Sequence, residues 1–166
     1  MRLLIKYGIM YIVLVLIQVL ILNQVQFSGY INPYIYILFV LLLPLNSPKY
    51  AVLLLAFLMG LTIDIFSNSL GMHAAALVLV AFIRSSVISA ISNREDDRSD
   101  YPGLRQNGFS WFLYYTIIMV FVHHLALFFI EAFTFTDFFR TLNRVLFSSV
   151  FSVFIIVLSQ FLIFRE

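Results

Sequence analysis

A chain of 166 residues that is 63% hydrophobic and only 11% charged, with a mean hydropathy of +1.03, falls outside the water-soluble globular class. A domain of this size cannot hide so much apolar surface in a core, so lipid has to cover it. Ten basic against eight acidic residues leave a net charge of +2, gathered mainly in a few loops with no stripe for a phosphate backbone, so the charge reports membrane orientation rather than nucleic-acid binding. The absence of cysteine excludes disulfides, thiolate nucleophiles, Cys-ligated zinc and iron–sulfur clusters.

Arg2 and Lys6 precede a first apolar run, 7–22, which resembles the start of a secretory signal. Leu20-Ile21-Leu22-Asn23 lacks the small-residue cleavage pattern, so the run reads as an uncleaved first span. A polar connection with Gly29 and Pro33 as breakers leads into a second run, 30–45, that ends at Pro44-Leu45 and is near the shortest length able to cross a bilayer. After the turn Asn46-Ser47-Pro48-Lys49, spans three and four cover 50–66 and 70–91, joined by the tight turn Ser67-Asn68-Ser69. The segment Asn93 to Gly108 is the one substantial aqueous loop. Span five, 111–133, opens with Trp111, Tyr114 and Tyr115, placed like an interfacial aromatic belt. Thr134 to Arg144 alternates Phe138, Phe139 and Leu142 with Asp137, Arg140 and Arg144, which predicts a short helix lying in the membrane surface. Span six covers 145–164.

The pattern predicts an all-α integral membrane bundle of about six transmembrane helices, forming one domain over residues 1–166. An even number of spans puts both termini on one side. Arg2, Lys6, Lys49, Arg94, Arg98, Arg105 and Arg165 share that side against Arg140 and Arg144 on the other, which predicts cytoplasmic termini.

Asp64 is the sharpest chemical signal, because a carboxylate within a hydrocarbon segment costs about 2.5–3.5 kcal/mol and usually marks a function. It lies close to the outer turn, so it reads either as an interfacial carboxylate capping the turn or the next helix, or as a group that binds a partner or ligand. His73, just past the turn, is its expected partner, with Asn68 and Ser69 able to satisfy helix ends. Arg84 is about 18 Å deeper at ~1.5 Å per residue, too far to pair with Asp64, and is expected to snorkel to cytoplasmic headgroups or meet a partner there. His123, His124 and Glu131 invite a metal or proton-relay reading, but their spacing is not that of a metal pair, and adjacent histidines point about 100° apart. Buried polar contacts between helices are the simpler account. No phosphate-binding glycine loop, Gly-x-Ser-x-Gly or His-Glu-x-x-His is present, and nothing calls for a cofactor or metal.

The stretch Gly60-x-x-x-Asp64, followed by Leu70-Gly71 and a long small-to-apolar helix ending near Arg84, resembles the rod shape-determining membrane protein family MreD. Pro44, the chain length and the short-looped spans fit the same family. The resemblance implies a non-enzymatic subunit of the bacterial cell-wall elongation machinery in the cytoplasmic (inner) membrane, with a fold similar to the S component of energy-coupling-factor transporters. It implies binding to the bitopic scaffold MreC and, through it, connection to MreB filaments, RodA and the partner transpeptidase of RodA. The family motif falls on Gly60, Asp64 and Gly71, where Gly60 would allow close helix approach and Gly71 would accommodate the backbone after the turn. His73 and Arg84 are neighbouring candidates outside the motif. The alternative is a small-molecule, vitamin-like binding component of a transporter, with Asp64, His73, His124 and Glu131 lining a pocket that opens outward.

Overall fold

The computed structural model describes residues 2–24, 31–92, 100–133 and 137–162. Five of its helices are long and apolar enough to cross a bilayer, which makes the chain a multi-pass membrane protein: α1 (Arg2–Leu20, extended by a 3-10 turn, Leu22–Gln24), α3 (Lys49–Ser67), α4 (Met72–Ile91), α6 (Phe109–Ala132) and α7 (Phe138–Leu162). Two short helices, α2 (Ile37–Leu41) and α5 (Leu104–Asn107), complete the set among the described residues. Neighbours in the order α1, α3, α4, α6, α7 pack side by side as an arc, except that α7 and α1 meet little.

The second apolar run departs from expectation. It holds only the five-residue helix α2, and residues 32–35 are not helical. A helix over 31–45 would cover only about 22 Å, short of the ~30 Å hydrocarbon core. A stretched chain covers more. The Asn32 and Tyr34 N–H groups donate to Ser148 and Ser152 Oγ at 3.1 and 2.8 Å, so two residues of this segment keep pace with one turn of α7. That step is ~6 Å along a helix and about the rise of two extended residues. Pro33 lacks an N–H and biases the residue before it away from helix, and the aromatic and β-branched pair Tyr34-Ile35 suits a non-helical chain, which gives way at Tyr36, already in the right-handed helical region, to α2.

This segment runs through the middle of the arc from one end of the bundle to the other. At its start, Asn32 and Pro33 lie beside Asn23 and the α3–α4 turn. At its finish, the Leu45 N–H donates to the Asp100 carbonyl at 2.9 Å and the Asn46 amide donates to the Asp100 carboxylate at 3.0 Å. Residues 33–43 are all buried, with Tyr36, Ile37, Leu38, Val40 and Leu41 fully so. Non-helical backbone is tolerated at membrane depth only when protein surrounds it and supplies its hydrogen bonds.

Two further differences are local. Phe138 to Arg144 forms no separate interfacial helix but the first turns of α7, and residues 134–136 lie outside the described residues. Of the aqueous loop, residues 93–99 likewise lie outside, together with Arg94, Arg98 and Arg165 of the orientation argument. Residues 104–107 of that loop form α5.

Candidate functional site

The α3–α4 turn is built around Asp64. Gly60 and Asp64, four residues apart, share one face of α3. At Gly60 a Cβ would stand 2.6 Å from the Ala74 nitrogen and 2.8 Å from the His73 carbonyl carbon, so only glycine lets α4 approach this closely. Helix α3 ends on Asn68 in the left-handed region (φ 53), whose N–H bonds back to the Asp64 carbonyl, and Gly71 (φ 80) begins α4. The carboxylate of Asp64 is 2% exposed and fully engaged. Oδ1 accepts from Ser69 Oγ at 2.6 Å, from the His73 N–H at 3.1 Å and from His73 Nδ1 at 3.0 Å, while Oδ2 accepts the Ala74 N–H at 2.9 Å. Asp64 thus caps the second and third N–H groups of α4 from the preceding helix, where a negative charge also meets the positive end of the helix dipole. With Nδ1 donating to the carboxylate, the hydrogen-bond network assigns His73 Nε2 as a lone-pair acceptor.

A cavity of about 460 Å³ opens at this end of the bundle, between the α3–α4 turn, the start of the extended segment and the α6–α7 end. His73 and Tyr34 stand on its wall, their rings in edge contact at 5.5 Å. Glu131 and Arg144 also line it and pair with each other at 2.9 Å, with the guanidinium stacked over the Phe128 ring.

Deeper in the bundle, Tyr34 and Tyr36 meet the paired histidines. The Tyr36 hydroxyl bonds His123 Nε2 at 2.7 Å. His124 Nδ1 donates to the Val120 carbonyl at 2.8 Å, so its Nε2 accepts from Ser152 Oγ at 3.0 Å, and the same Ser152 oxygen accepts the Tyr34 N–H. Contrary to the expectation that adjacent histidines point apart, their two rings meet in edge contact at 5.4 Å, and the ring of Tyr34 packs against both, 5.9 Å from His123 and 5.3 Å from His124.

No family model matches the chain, and no curated protein or solved structure matches it significantly.

Of the residues singled out from the sequence, Gly60, Asp64, Gly71 and His73 come together in one turn. Arg84 stands apart, as its depth required, but it does not snorkel. It is 5% exposed, bonds the Leu43 carbonyl, and donates through Nε to the Tyr115 hydroxyl at 3.2 Å. It serves the carbonyl end of α2, a favourable place for a cation. Glu131 pairs with Arg144. Among the described residues, no group of three or more His, Cys, Asp or Glu side chains converges in a metal-binding arrangement. Sequence reasoning missed Tyr34, Tyr36, Gln18, Ser148 and Ser152. A lone glutamine inside the first span and serines four residues apart in the last were the available signals.

Proposed function

We propose that the protein is a non-enzymatic membrane scaffold of the bacterial cell-wall elongation complex, as its resemblance to the MreD family implies. The observation that carries this reading is that the motif residues Gly60, Asp64 and Gly71 act as one unit. The glycine admits α4, the carboxylate caps it, and the left-handed glycine turns the chain into it. The product is a rigid hairpin tip that presents Ile65, Phe66 and Leu70, at 71%, 61% and 98% exposure, to a partner's apolar surface. Asp64, being buried, shapes this tip rather than touching the partner. The partner is an MreC-like bitopic protein, which joins the chain to RodA, its transpeptidase and MreB filaments.

Counting the buried extended segment as a crossing, the chain traverses the membrane six times and both termini are cytoplasmic, with the hairpin tip outside. The S-component-like fold is part of the same proposal. Mass spectrometry of proteins that co-purify with the tagged chain from gently solubilised native membranes tests the reading. An MreC-like scaffold and wall synthases are expected. Recovery of a coupling subunit with paired ATPases would overturn it in favour of a transporter's small-molecule binding component. One observation favours that second reading: His73 and Glu131 line a shared cavity at the outer end.

A further inference from the structure

We propose that the cavity at the hairpin end binds a neutral, hydroxyl-bearing small molecule of the polyol or sugar class. The proposal gives a ligand class to the second reading above and rests on the cavity alone.

Buried polar groups are as a rule paired. His73 and Tyr34 meet that rule only through the cavity, onto which their polar tips open. Both are more than nine-tenths buried, at 7% and 8% exposure, yet His73 Nε2 and the Tyr34 hydroxyl have no hydrogen-bond partner among the described residues, and neither tip is sealed from the cavity the two side chains line. Each is locked from behind. Asp64 and Ser69 hold the imidazole through Nδ1, and Ser152 holds the Tyr34 backbone. An imidazole whose Nδ1 donates offers an acceptor at Nε2, and a phenol both donates and accepts. A ligand hydroxyl can answer both.

Charge decides against an ionic ligand. The charged side chains lining the cavity, Glu131 and Arg144, neutralise each other at 2.9 Å, and Asp64 behind His73 is spent on the α4 N–H groups. A charged ligand would lose hydration without an unmatched counter-charge to meet. The remaining polar lining includes the carboxamides of Asn32 and Asn68, which donate and accept, while Phe66 and Met72 supply apolar wall for a ring face. About 460 Å³ lies within the ~300–1,000 Å³ of small-molecule sites.

Saturation-transfer NMR on the detergent-solubilised full chain, with glucose, N-acetylglucosamine, glucosamine and glucuronate as probes, tests the class on one ring skeleton in three charge states. Transfer to a neutral sugar is expected, at least threefold stronger than to either charged analogue. Tyr34→Phe, which removes only the unpaired hydroxyl, or Asn68→Gly, which removes the carboxamide and keeps the left-handed turn, should abolish it. The absence of transfer to either neutral sugar, stronger transfer to a charged one, or transfer indifferent to both variants would overturn the proposal. Co-purification of partners is read separately, so failure here leaves the scaffold reading intact and the reverse holds too.

Discussion

The carboxamide of Gln18 brackets the backbone around Ile35: its Oε1 accepts the Ile35 N–H at 2.8 Å, and its Nε2 donates to the Pro33 carbonyl at 3.2 Å. One side chain of α1 thereby does what a neighbouring strand would do, while Ser148 and Ser152 of α7 serve the opposite edge. Farther along, the Leu41, Leu42 and Leu43 carbonyls accept from Tyr115, Tyr7 and Arg84. Many of the polar residues scattered through the spans therefore solvate the backbone of one buried segment, on its non-helical stretch and at the carbonyl end of α2.

If so, Gln18→Leu should orphan two buried backbone groups and destabilise the protein by about 1–3 kcal/mol for each. Thermal unfolding in detergent, against Ile12→Leu on the exposed face of α1 as control, measures it. A melting temperature equal to that of the control would remove the role.

Arg84→Met should behave similarly, leaving the Leu43 carbonyl without its donor at a cost of about 1–3 kcal/mol. Arg84→Lys keeps the charge but not the guanidinium fork that reaches Leu43 and Tyr115 together, so its loss should be intermediate. Equal stability of all three forms contradicts this.

The two motif glycines should fail differently. Gly60→Ala puts a methyl group against the backbone of α4 and should cost about 1–3 kcal/mol or more through overpacking. Gly71 has open space around it, so Gly71→Ala should cost only the left-handed strain, about 1–2 kcal/mol. Gly71→Asn should recover part of that, and the ranking of the three melting temperatures checks the assignment.

Asp64→Asn keeps one carbonyl oxygen for the α4 N–H groups but loses the charge; Asp64→Leu loses both. Stability should fall in that order, the leucine form by about 2 kcal/mol at least, given two orphaned N–H groups and an unsupported His73. Partner co-purification should fall in parallel, because the hairpin tip loses its shape. Full partner recovery with Asp64→Leu would separate Asp64 from assembly.

With no native cysteine, the chain suits accessibility labelling. Leu70→Cys should react with an impermeant thiol reagent in intact cells, whereas Gln106→Cys, exposed on α5, should react only after permeabilisation. Labelling of both from one side would refute the six-crossing topology.

Sequence by itself determined the membrane class, the long spans and the α3–α4 turn, because those follow from local quantities: apolar run length, turn residues, and glycine spacing on one helix face. It paired Asp64 with His73 for the same reason, since both sit beside one tight turn. Only the tertiary structure decided that the second apolar run opens as a non-helical stretch and holds just one short helix, since a short apolar run bounded by Pro33 and Pro44 has no periodicity of its own to separate helix from buried strand. Its backbone bonds go to side chains 15–118 residues away in sequence, a distance at which local pattern carries no signal. The same fact misplaced Arg84. Hydropathy sends a cation at that depth toward the headgroups, and only the arrival of the Leu43 carbonyl from another part of the chain gives it a buried place to stay.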